Sequence, residues 1–288
     1  MRKVEAMARN GDVEIAYDSM GPPMVLIPGS GMQRMMWPPG LCTALAERRF
    51  RVVCMDNRDS GGSTRLTEYD SRPWYRQRAY TMRDMADDVI AVVDALGVDR
   101  AHLFGSSLSA VIAMVAATRH PDRIASLTVQ NAVPGTRPWQ AKPKIGTMIR
   151  MVRIMKGVSP DADAEGRRWV QLLRLIGSPG YPLDTEHWHH AGASLYEAGI
   201  YPKGSARHTA AHAWTGDLRP ALAKLTLPTL VVQGKDDPMQ SWRGGQVVAE
   251  TIPGARFLLL PGVGHDLPRE VWPTVLDEIM AMTQSEQD

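Results

Sequence analysis

A serine lies at a turn between two apolar segments, in the run His-Leu-Phe-Gly-Ser-Ser-Leu-Ser-Ala of residues 102–110. The apolar residues before Ser107 predict a strand, and those after it predict a helix. Small residues such as Gly105 let strand and helix approach closely, and a tight turn between them presents the serine hydroxyl above a sheet. Turns of this kind usually read G-x-S-x-G, whereas Ser109 occupies the last position here. The segment predicts a nucleophilic serine, with a purely structural loop as the alternative.

A base and an acid for this serine follow later in the chain. A serine hydroxyl is unreactive near neutral pH unless a base removes its proton and an acid orients that base. His265 and Asp237 each come directly after a predicted strand. Because the carboxyl ends of parallel strands meet at one edge of a sheet, both side chains can converge on Ser107. Asp236 is the alternative acid, and Asp266 is expected to be a solvated neighbour of the histidine.

The loop Gly-Ser-Gly of residues 29–31 follows another predicted strand and is expected at the same sheet edge. Acyl transfer needs N–H donors for the oxygen that becomes negative during the reaction. The backbone N–H of Leu108, at the start of a helix, and that of Ser30 are predicted to form this oxyanion hole. Gly31 is the alternative second donor. Taken alone, residues 29–31 would be read as an ordinary turn.

Strands and helices alternate along the first part of the chain. Strands are predicted at 24–28, 51–55, 101–104 and 126–129, and helices at 38–50, 81–96 and 108–119. Thr81 and Asp84 form a capping box at the start of the second helix. Such alternation is typical of a mostly parallel sheet covered by helices on both faces.

The alternation breaks after the strand at 126–129, because the next convincing strand is residues 229–233, roughly a hundred residues later. Apolar stripes at helical spacing in 145–155 and 169–176 indicate that the inserted segment is helical. Alternation then resumes to the end of the chain. The predicted organisation is a core of residues 1–133, a helical cap of residues 134–218 and a second core segment of residues 219–288.

Composition narrows the class of protein. The 288 residues are 44% hydrophobic and 22% charged, with a net charge of +2, so nucleic acid is not expected as a partner. No apolar run approaches the roughly 18 residues that cross a bilayer, and the amino terminus lacks a signal-peptide pattern, so a cytoplasmic protein without a membrane partner is expected. Cys42 and Cys54 lack metal-site spacing and are expected to be reduced and buried.

Together these segments resemble the α/β-hydrolase superfamily, and the resemblance covers nearly the whole chain. Residues 56–63 are similar to its D-x-R-G-x-G-x-S loop, with Asp59 in place of the usual glycine. This variant, and residues 252–268, resemble the aclacinomycin methylesterase group, whose members hydrolyse the methyl ester of a polyketide. Pro28 stands where many hydrolases carry histidine. The resemblance implies an α/β fold with a mostly parallel, doubly wound sheet, an inserted helical cap and no cofactor, and Ser107 excludes the branches with a nucleophilic aspartate.

The cap and the oxyanion loop are rich in methionine and tryptophan. Met32, Trp139 and Met148 are predicted to contact substrate, because methionine adapts to irregular apolar ligands and an aromatic ring can wall the pocket. Ordinary core packing is the alternative for each. His208 and His212 have the i, i+4 spacing of a metal pair, but no glutamate of an H-E-x-x-H motif accompanies them, and no metal is expected.

These features predict a serine carboxylic-ester hydrolase in which Ser107 attacks the ester, His265 transfers the proton and Asp237 orients the imidazole. The expected substrate is a bulky apolar ester, either a polyketide methyl ester or a macrolactone such as the ring of a macrolide antibiotic. A perhydrolase or acyltransferase would use the same residues with another nucleophile. A ligand receptor derived from a hydrolase is the alternative from a different class.

Overall fold

The computed structural model of the protein describes residues 4–20, 23–71, 79–135 and 145–284. Within these residues eight strands form one sheet. The strands are β1 (Val4–Asn10), β2 (Val13–Met20), β3 (Met24–Ile27), β4 (Val52–Met55), β5 (Ala101–Ser106), β6 (Ile124–Gln130), β7 (Thr229–Gly234) and β8 (Arg256–Leu260). Their order across the sheet is β1-β2-β4-β3-β5-β6-β7-β8. Strands β3 to β8 pair in parallel, which confirms the predicted fold class.

Helices cover both faces of the sheet. The described helices are α1 (Pro39–Glu47), α2 (Met82–Ala95), α3 (Leu108–Arg119), α4 (Ile145–Met155), α5 (Ala162–Ile176), α6 (Thr185–Glu197), α7 (Pro202–Ala213), α8 (Arg219–Leu222), α9 (Trp242–Thr251) and α10 (Trp272–Gln284). One core cluster joins the sheet to α2, α3, α8 and α9, and a second joins the opposite face to α1 and α10. Because both faces are covered, strands β3, β4 and β7 are buried along their whole length.

The capping box predicted at the start of α2 is present. The Thr81 hydroxyl accepts hydrogen bonds from the Arg83 and Asp84 amides, and the Asp84 carboxylate accepts one from the Thr81 amide at 2.7 Å. These bonds satisfy N–H groups that the first helical turn leaves without partners. The boundary of α2 is therefore fixed by local sequence.

The antiparallel hairpin of β1 and β2 has no counterpart in the predicted elements. Its two-residue turn places Asn10 opposite Val13, and Gly11 there has a φ of 58°. The turn dipeptide Gly11-Asp12, followed by the alternating residues 13–16, is a signal that favours such a hairpin. The hairpin extends the sheet through antiparallel pairing of β2 with β4.

The insert between β6 and β7 carries helices α4 to α7, and α8 follows it before β7. Its two ends meet: the Leu218 amide donates to the Pro134 carbonyl at 2.9 Å, and Gly135 pairs with Asp217 in an antiparallel bridge. This contact lies at the boundaries predicted for the cap. Within the insert, α5 and α6 pack together and bury Met36 from the core against their apolar side. The helical insert therefore sits over the end of β3.

Two remaining expectations concern the cysteines and the membrane. Cys42 and Cys54 are both buried thiols, with their Sγ atoms 3.7 Å apart. Among the helices that the structure describes, none has the length and apolar character needed to cross a bilayer.

Candidate active site

The turn between β5 and α3 holds Ser107 in a strained backbone conformation. Its φ is 58° and its ψ is −119°, a region that residues with a side chain rarely occupy. The Ser107 amide donates to the Gln130 carbonyl on β6 at 2.9 Å, which helps to hold the turn. At Gly105 a Cβ atom would lie 2.2 Å from the Ser109 carbonyl oxygen, so only glycine allows this approach of strand and helix. The geometry is that of a nucleophile elbow.

The serine in the last position of the elbow motif has a defined partner. The Ser109 hydroxyl is fully buried and donates to the Pro28 carbonyl, and the Asn57 side-chain amide donates to the same oxygen at 2.9 Å. Ser109 and Pro28 are both positions at which this chain departs from the usual pattern. Their contact ties the elbow to the end of β3, where the predicted oxyanion loop begins.

The structure brings the three predicted triad side chains together. His265 Nε2 lies 3.0 Å from Ser107 Oγ, and His265 Nδ1 lies 2.7 Å from Asp237 Oδ2. The Met239 and Gln240 amides donate to Asp237 Oδ1, at 2.7 and 3.0 Å, and hold its buried carboxylate in place. This is the arrangement of a serine nucleophile, its base and the acid that orients the base.

The alternative acid, Asp236, has a different partner. Its carboxylate accepts a hydrogen bond from the Gly262 amide at 2.8 Å, and its own amide donates to the Val263 carbonyl at 3.0 Å. Asp236 therefore braces the loop that carries the histidine, while Asp237 contacts the imidazole.

The loop around His265 is attached to the helical insert. The His265 amide donates to the carbonyl of Ile176, the last residue of α5, at 2.8 Å. The Ser178 hydroxyl accepts from the Gly264 amide at 2.9 Å and donates to Asp266 Oδ1 at 2.5 Å. Asp266 was expected to be solvated, but it is partly buried and bonded to the insert. No sequence signal pointed to Ser178, because its partners lie more than eighty residues away.

The predicted oxyanion loop lies beside the elbow. A Cβ atom at Gly29 would lie 3.8 Å from Ser107 Cβ, so the backbone of the loop passes close to the nucleophile. The Met32 amide closes a turn on the Gly29 carbonyl at 3.2 Å, and Gly31 takes a φ of 73° that favours glycine. Leu108 is the first residue of α3, where N–H groups lack an acceptor within the helix. The roles of Ser30 and Leu108 as donors stay a prediction.

A cavity of about 90 Å³ opens next to His265. Its wall is largely apolar and comes from the residues after β3 and from the insert, among them Met32, Met36, Trp37, Trp169, Leu173 and Trp188. The rings of Trp169 and Trp188 stack almost parallel, with their centroids 6.2 Å apart. A groove of about 850 Å³ on the outside of α5 and α6 contains no triad residue. Of these two spaces, only the cavity is lined by a triad residue, His265.

Of the three residues predicted to contact substrate, one lines the cavity. Met32 lines the cavity, while Trp139 lies outside the described residues. Met148 is 36% exposed on α4 and does not line the cavity, because α4 packs against α5 with Met151 and Ile154 instead. The apolar residues Ile145, Ile149 and Val152 of the same helix are likewise exposed.

Comparison with known proteins places this geometry in a family. The alpha/beta hydrolase fold family matches residues 22–165, which is half of the chain. The chain belongs to this family. It is 27% identical to the rhodomycin D methylesterase DauP of Streptomyces sp. (strain C5) over 286 residues, which cover 93% of each chain.

Two further similarities bear on this α/β-hydrolase. It is 25% identical to 3-oxoadipate enol-lactonase 2 of Acinetobacter baylyi (strain ATCC 33305 / BD413 / ADP1), over 84% of this chain and 82% of the relative. The solved structure of the esterase RhEst1 from Rhodococcus sp. ECU1013 covers 99% of both chains with a TM-score of 0.75 at 21% identity, which shows the shared fold. The protein is an α/β-hydrolase of the esterase or lactonase type.

The loop after β4 departs from the usual α/β-hydrolase pattern at Asp59, and the structure gives the reason. Asp59 takes a φ of 64°, and its buried carboxylate accepts hydrogen bonds from Arg207 Nε at 2.7 Å and Nη2 at 2.8 Å. Arg207 lies on α7 and is also fully buried. The nearby His208 Nε2 contacts the Arg58 carbonyl at 2.6 Å, so it joins α7 to the same loop instead of facing a metal site.

The pKa of His265 is set by opposing effects. Burial alone lowers it, because a charged imidazole loses its hydration. The charge of Asp237 and its hydrogen bond to Nδ1, together with the charge of Asp266, favour the imidazolium and prevail. The pKa of His265 is therefore raised above its ordinary value of 6.5.

We expect the rate of ester hydrolysis to fall with decreasing pH at a kinetic pKa above 6.5. Protonated His265 cannot accept the proton of Ser107, and a raised pKa brings this loss to higher pH. Replacement Asp266→Asn removes a negative charge that favours the imidazolium, so the acidic limb should move to lower pH. Profiles of kcat/KM against pH measure both effects.

Asp236→Asn is the matched control for this prediction. It removes the same charge from the neighbouring loop, but Asp236 bonds the Gly262 amide and does not contribute to the pKa of His265. Its profile should keep the acidic limb of the wild type. A limb that lies below 6.5 in the wild type, or that Asp266→Asn leaves in place, would contradict the electrostatic account.

Proposed function

We propose that Ser107, His265 and Asp237 hydrolyse the carboxylic ester of a polyketide. The observation that carries this proposal is the continuous chain of contacts from the hydroxyl of Ser107, whose backbone is strained, through the imidazole to the buried Asp237 carboxylate. A serine in this setting is activated because the base that takes its proton is already oriented and stabilised by the acid.

In the proposed reaction, Ser107 Oγ bonds to the ester carbonyl carbon while its proton passes to His265 Nε2. The carbonyl π electrons move to the oxygen, which the Ser30 and Leu108 amides stabilise. The C–O bond to the alcohol then breaks, and His265 gives its proton to the departing alkoxide. Water attacks the acyl-enzyme, His265 takes a proton from it, and Ser107 leaves protonated as the acid is released. Besides the ester and one water, each step uses side chains and amides of this chain.

The polyketide assignment is supported by similarity and by the cavity. The Streptomyces relative is a rhodomycin D methylesterase that aligns over 93% of this chain. The cavity wall combines three tryptophans with methionines, which suits an apolar ligand. A volume of about 90 Å³ admits only the part of a polyketide next to the ester, so the remaining rings would extend toward the exposed side of the insert.

Opening of a macrolactone is the second candidate, because a lactone is an internal ester and needs the same chemistry. The similarity to an enol-lactonase supports it. In a lactone the alcohol stays attached to the acid, so the product would be a single opened ring. Ring opening of this kind would inactivate a macrolide antibiotic.

Mass spectrometry of the products separates these candidates. Wild-type protein and Ser107→Ala would be incubated with polyketide methyl esters, macrolactones and short acyl esters. We expect a methyl ester to lose the mass of one CH₂ group, or a macrolactone to gain one water, only with the wild type. If only short esters are turned over, the protein is a serine hydrolase but the proposed polyketide substrate is wrong. Equal turnover by the wild type and the Ser107 variant would refute the proposed mechanism.

A further inference from the structure

Trp37 lines the cavity and carries an unpaired polar group. The residue is 7% exposed, and its ring packs on the fully buried Phe104 with their centroids 5.5 Å apart. Its indole N–H is buried and has no hydrogen-bond acceptor among the residues that the structure describes. Since a buried donor without an acceptor lowers stability, native structures rarely keep one without a reason.

A second tryptophan of the same cavity shows what an ordinary buried indole does. Trp169 Nε1 donates to Glu165 Oε1 at 3.1 Å, within α5. Glu165 is itself buried and also accepts from the Ser159 hydroxyl at 2.5 Å. A buried indole at this cavity can therefore be hydrogen-bonded within the protein. Trp37 differs from Trp169 because its N–H has no such acceptor among the described residues.

Three of the polar side chains that line the cavity with Trp37 have partners of their own. Gln130 Nε2 donates to the Asp266 carbonyl at 2.9 Å, and the Asp266 carboxylate accepts from Ser178. Both ring nitrogens of His265 contact triad residues. None of these contacts involves the Trp37 N–H, which leaves it able to donate to a molecule that fills the cavity.

We propose that the Trp37 indole N–H donates a hydrogen bond to a carbonyl or hydroxyl oxygen of the substrate, near the ester that Ser107 attacks. This inference rests on the proposed ester hydrolysis and narrows its substrate. The cavity selects an oxygen-bearing acyl group over a hydrocarbon chain of the same length. A polyketide carries such oxygens along its chain, whereas a simple fatty acyl ester does not.

The test compares matched esters on wild type and on Trp37→Phe, which keeps an aromatic ring and removes the N–H. The pairs are methyl 4-oxopentanoate with methyl pentanoate, and methyl 5-oxohexanoate with methyl hexanoate. The measured quantity is the ratio of kcat/KM for the oxo ester to that for its partner. Because both proteins see the same esters, inherent differences in ester reactivity cancel between them.

We expect the oxo preference of the wild type to fall by about tenfold in Trp37→Phe for at least one pair, the effect of losing one buried hydrogen bond. Trp188→Phe is the matched control, because it replaces another tryptophan ring of the same cavity with a smaller one. It should lower kcat/KM for both esters of a pair by the same factor, so their ratio should stay unchanged. An unchanged ratio in Trp37→Phe would overturn the proposal, even where both rates fall together. Absence of any Ser107-dependent turnover would instead refute the ester hydrolysis on which it rests.

Discussion

Replacement of Ser107 by alanine is expected to lower kcat/KM for esters by a factor on the order of 10³ or more. The variant keeps the oxyanion loop, the histidine and the cavity, so it can still bind substrate. It lacks the oxygen that forms the acyl-enzyme, and water must attack the ester directly. Steady-state kinetics with an ester that the wild type hydrolyses measure this loss.

The Ser107 variant should fold normally. Its hydroxyl makes no helix-capping hydrogen bond, and alanine meets the same strain as serine at a φ of 58°. Ser109→Ala is the matched control, because it also removes a hydroxyl from the elbow. The Ser109 hydroxyl donates to the Pro28 carbonyl and does not contact His265. We expect this control to lose far less activity than Ser107→Ala.

Combining variants gives a further check on the triad. Residues that act as one unit lose their effect together, so Ser107→Ala with His265→Ala should be about as slow as Ser107→Ala alone. If the losses of kcat/KM in the two single variants multiply in the double variant, Ser107 and His265 do not act as one unit. Near-normal turnover by Ser107→Ala would show that the hydroxyl is not the nucleophile.

The elements that position the site are predictable because their signals are local. The elbow needs a small residue at Gly105 and a serine between strand and helix, and both are visible in ten residues of sequence. The order of Ser107, Asp237 and His265 along the chain, each after a strand, then follows from the geometry of a parallel sheet. Strand periodicity and the capping box at Thr81 are local in the same way.

The features that sequence did not reveal depend on contacts between distant segments. Ser178 meets the histidine loop only because the end of α5 packs against it, and Arg207 meets Asp59 across nearly 150 residues. The size of the cavity likewise depends on how the insert packs over Met36. Side-chain types alone indicated an apolar pocket, but its volume is a property of the packed structure.

Removal of the Arg207 side chain charge is the second large expected effect. Arg207 and Asp59 are both fully buried and form two hydrogen bonds with each other. In Arg207→Met the Asp59 carboxylate stays buried without its counter-charge. The free energy of unfolding should fall by about 3–5 kcal/mol, the usual cost of breaking a buried ion pair at one partner. Urea unfolding followed by circular dichroism measures it.

The pH dependence of this loss follows from the pKa of Asp59. Burial raises it, but the Arg207 hydrogen bonds, aided by the Leu66 amide, outweigh burial and lower it below 3.8. A depressed pKa means that the carboxylate stabilises the fold above its unfolded pKa, and that this stability is lost as pH falls through the folded value. In Arg207→Met the carboxyl can bind a proton and avoid a buried charge, so the stability gap to the wild type should narrow in acid.

The double variant Asp59→Gly with Arg207→Met shows whether the loss of stability comes from the unpaired charge of Asp59 or from the missing Arg207 side chain itself. Glycine is the usual residue at this position in the superfamily, and it relieves the strain of a φ of 64°. Removing both charges leaves neither one buried alone, so the double variant should be more stable than Arg207→Met.

A surface exchange of the same type supplies the control. Arg119→Met breaks a pair with Asp87 whose side chains are 36% and 33% exposed, and it should cost less than about 1 kcal/mol. If Arg207→Met costs no more than this surface exchange, or if adding Asp59→Gly brings no recovery, the buried pair does not hold α7 to the core. A large loss with recovery in the double variant would instead show that the cost comes from the Asp59 charge left buried without Arg207.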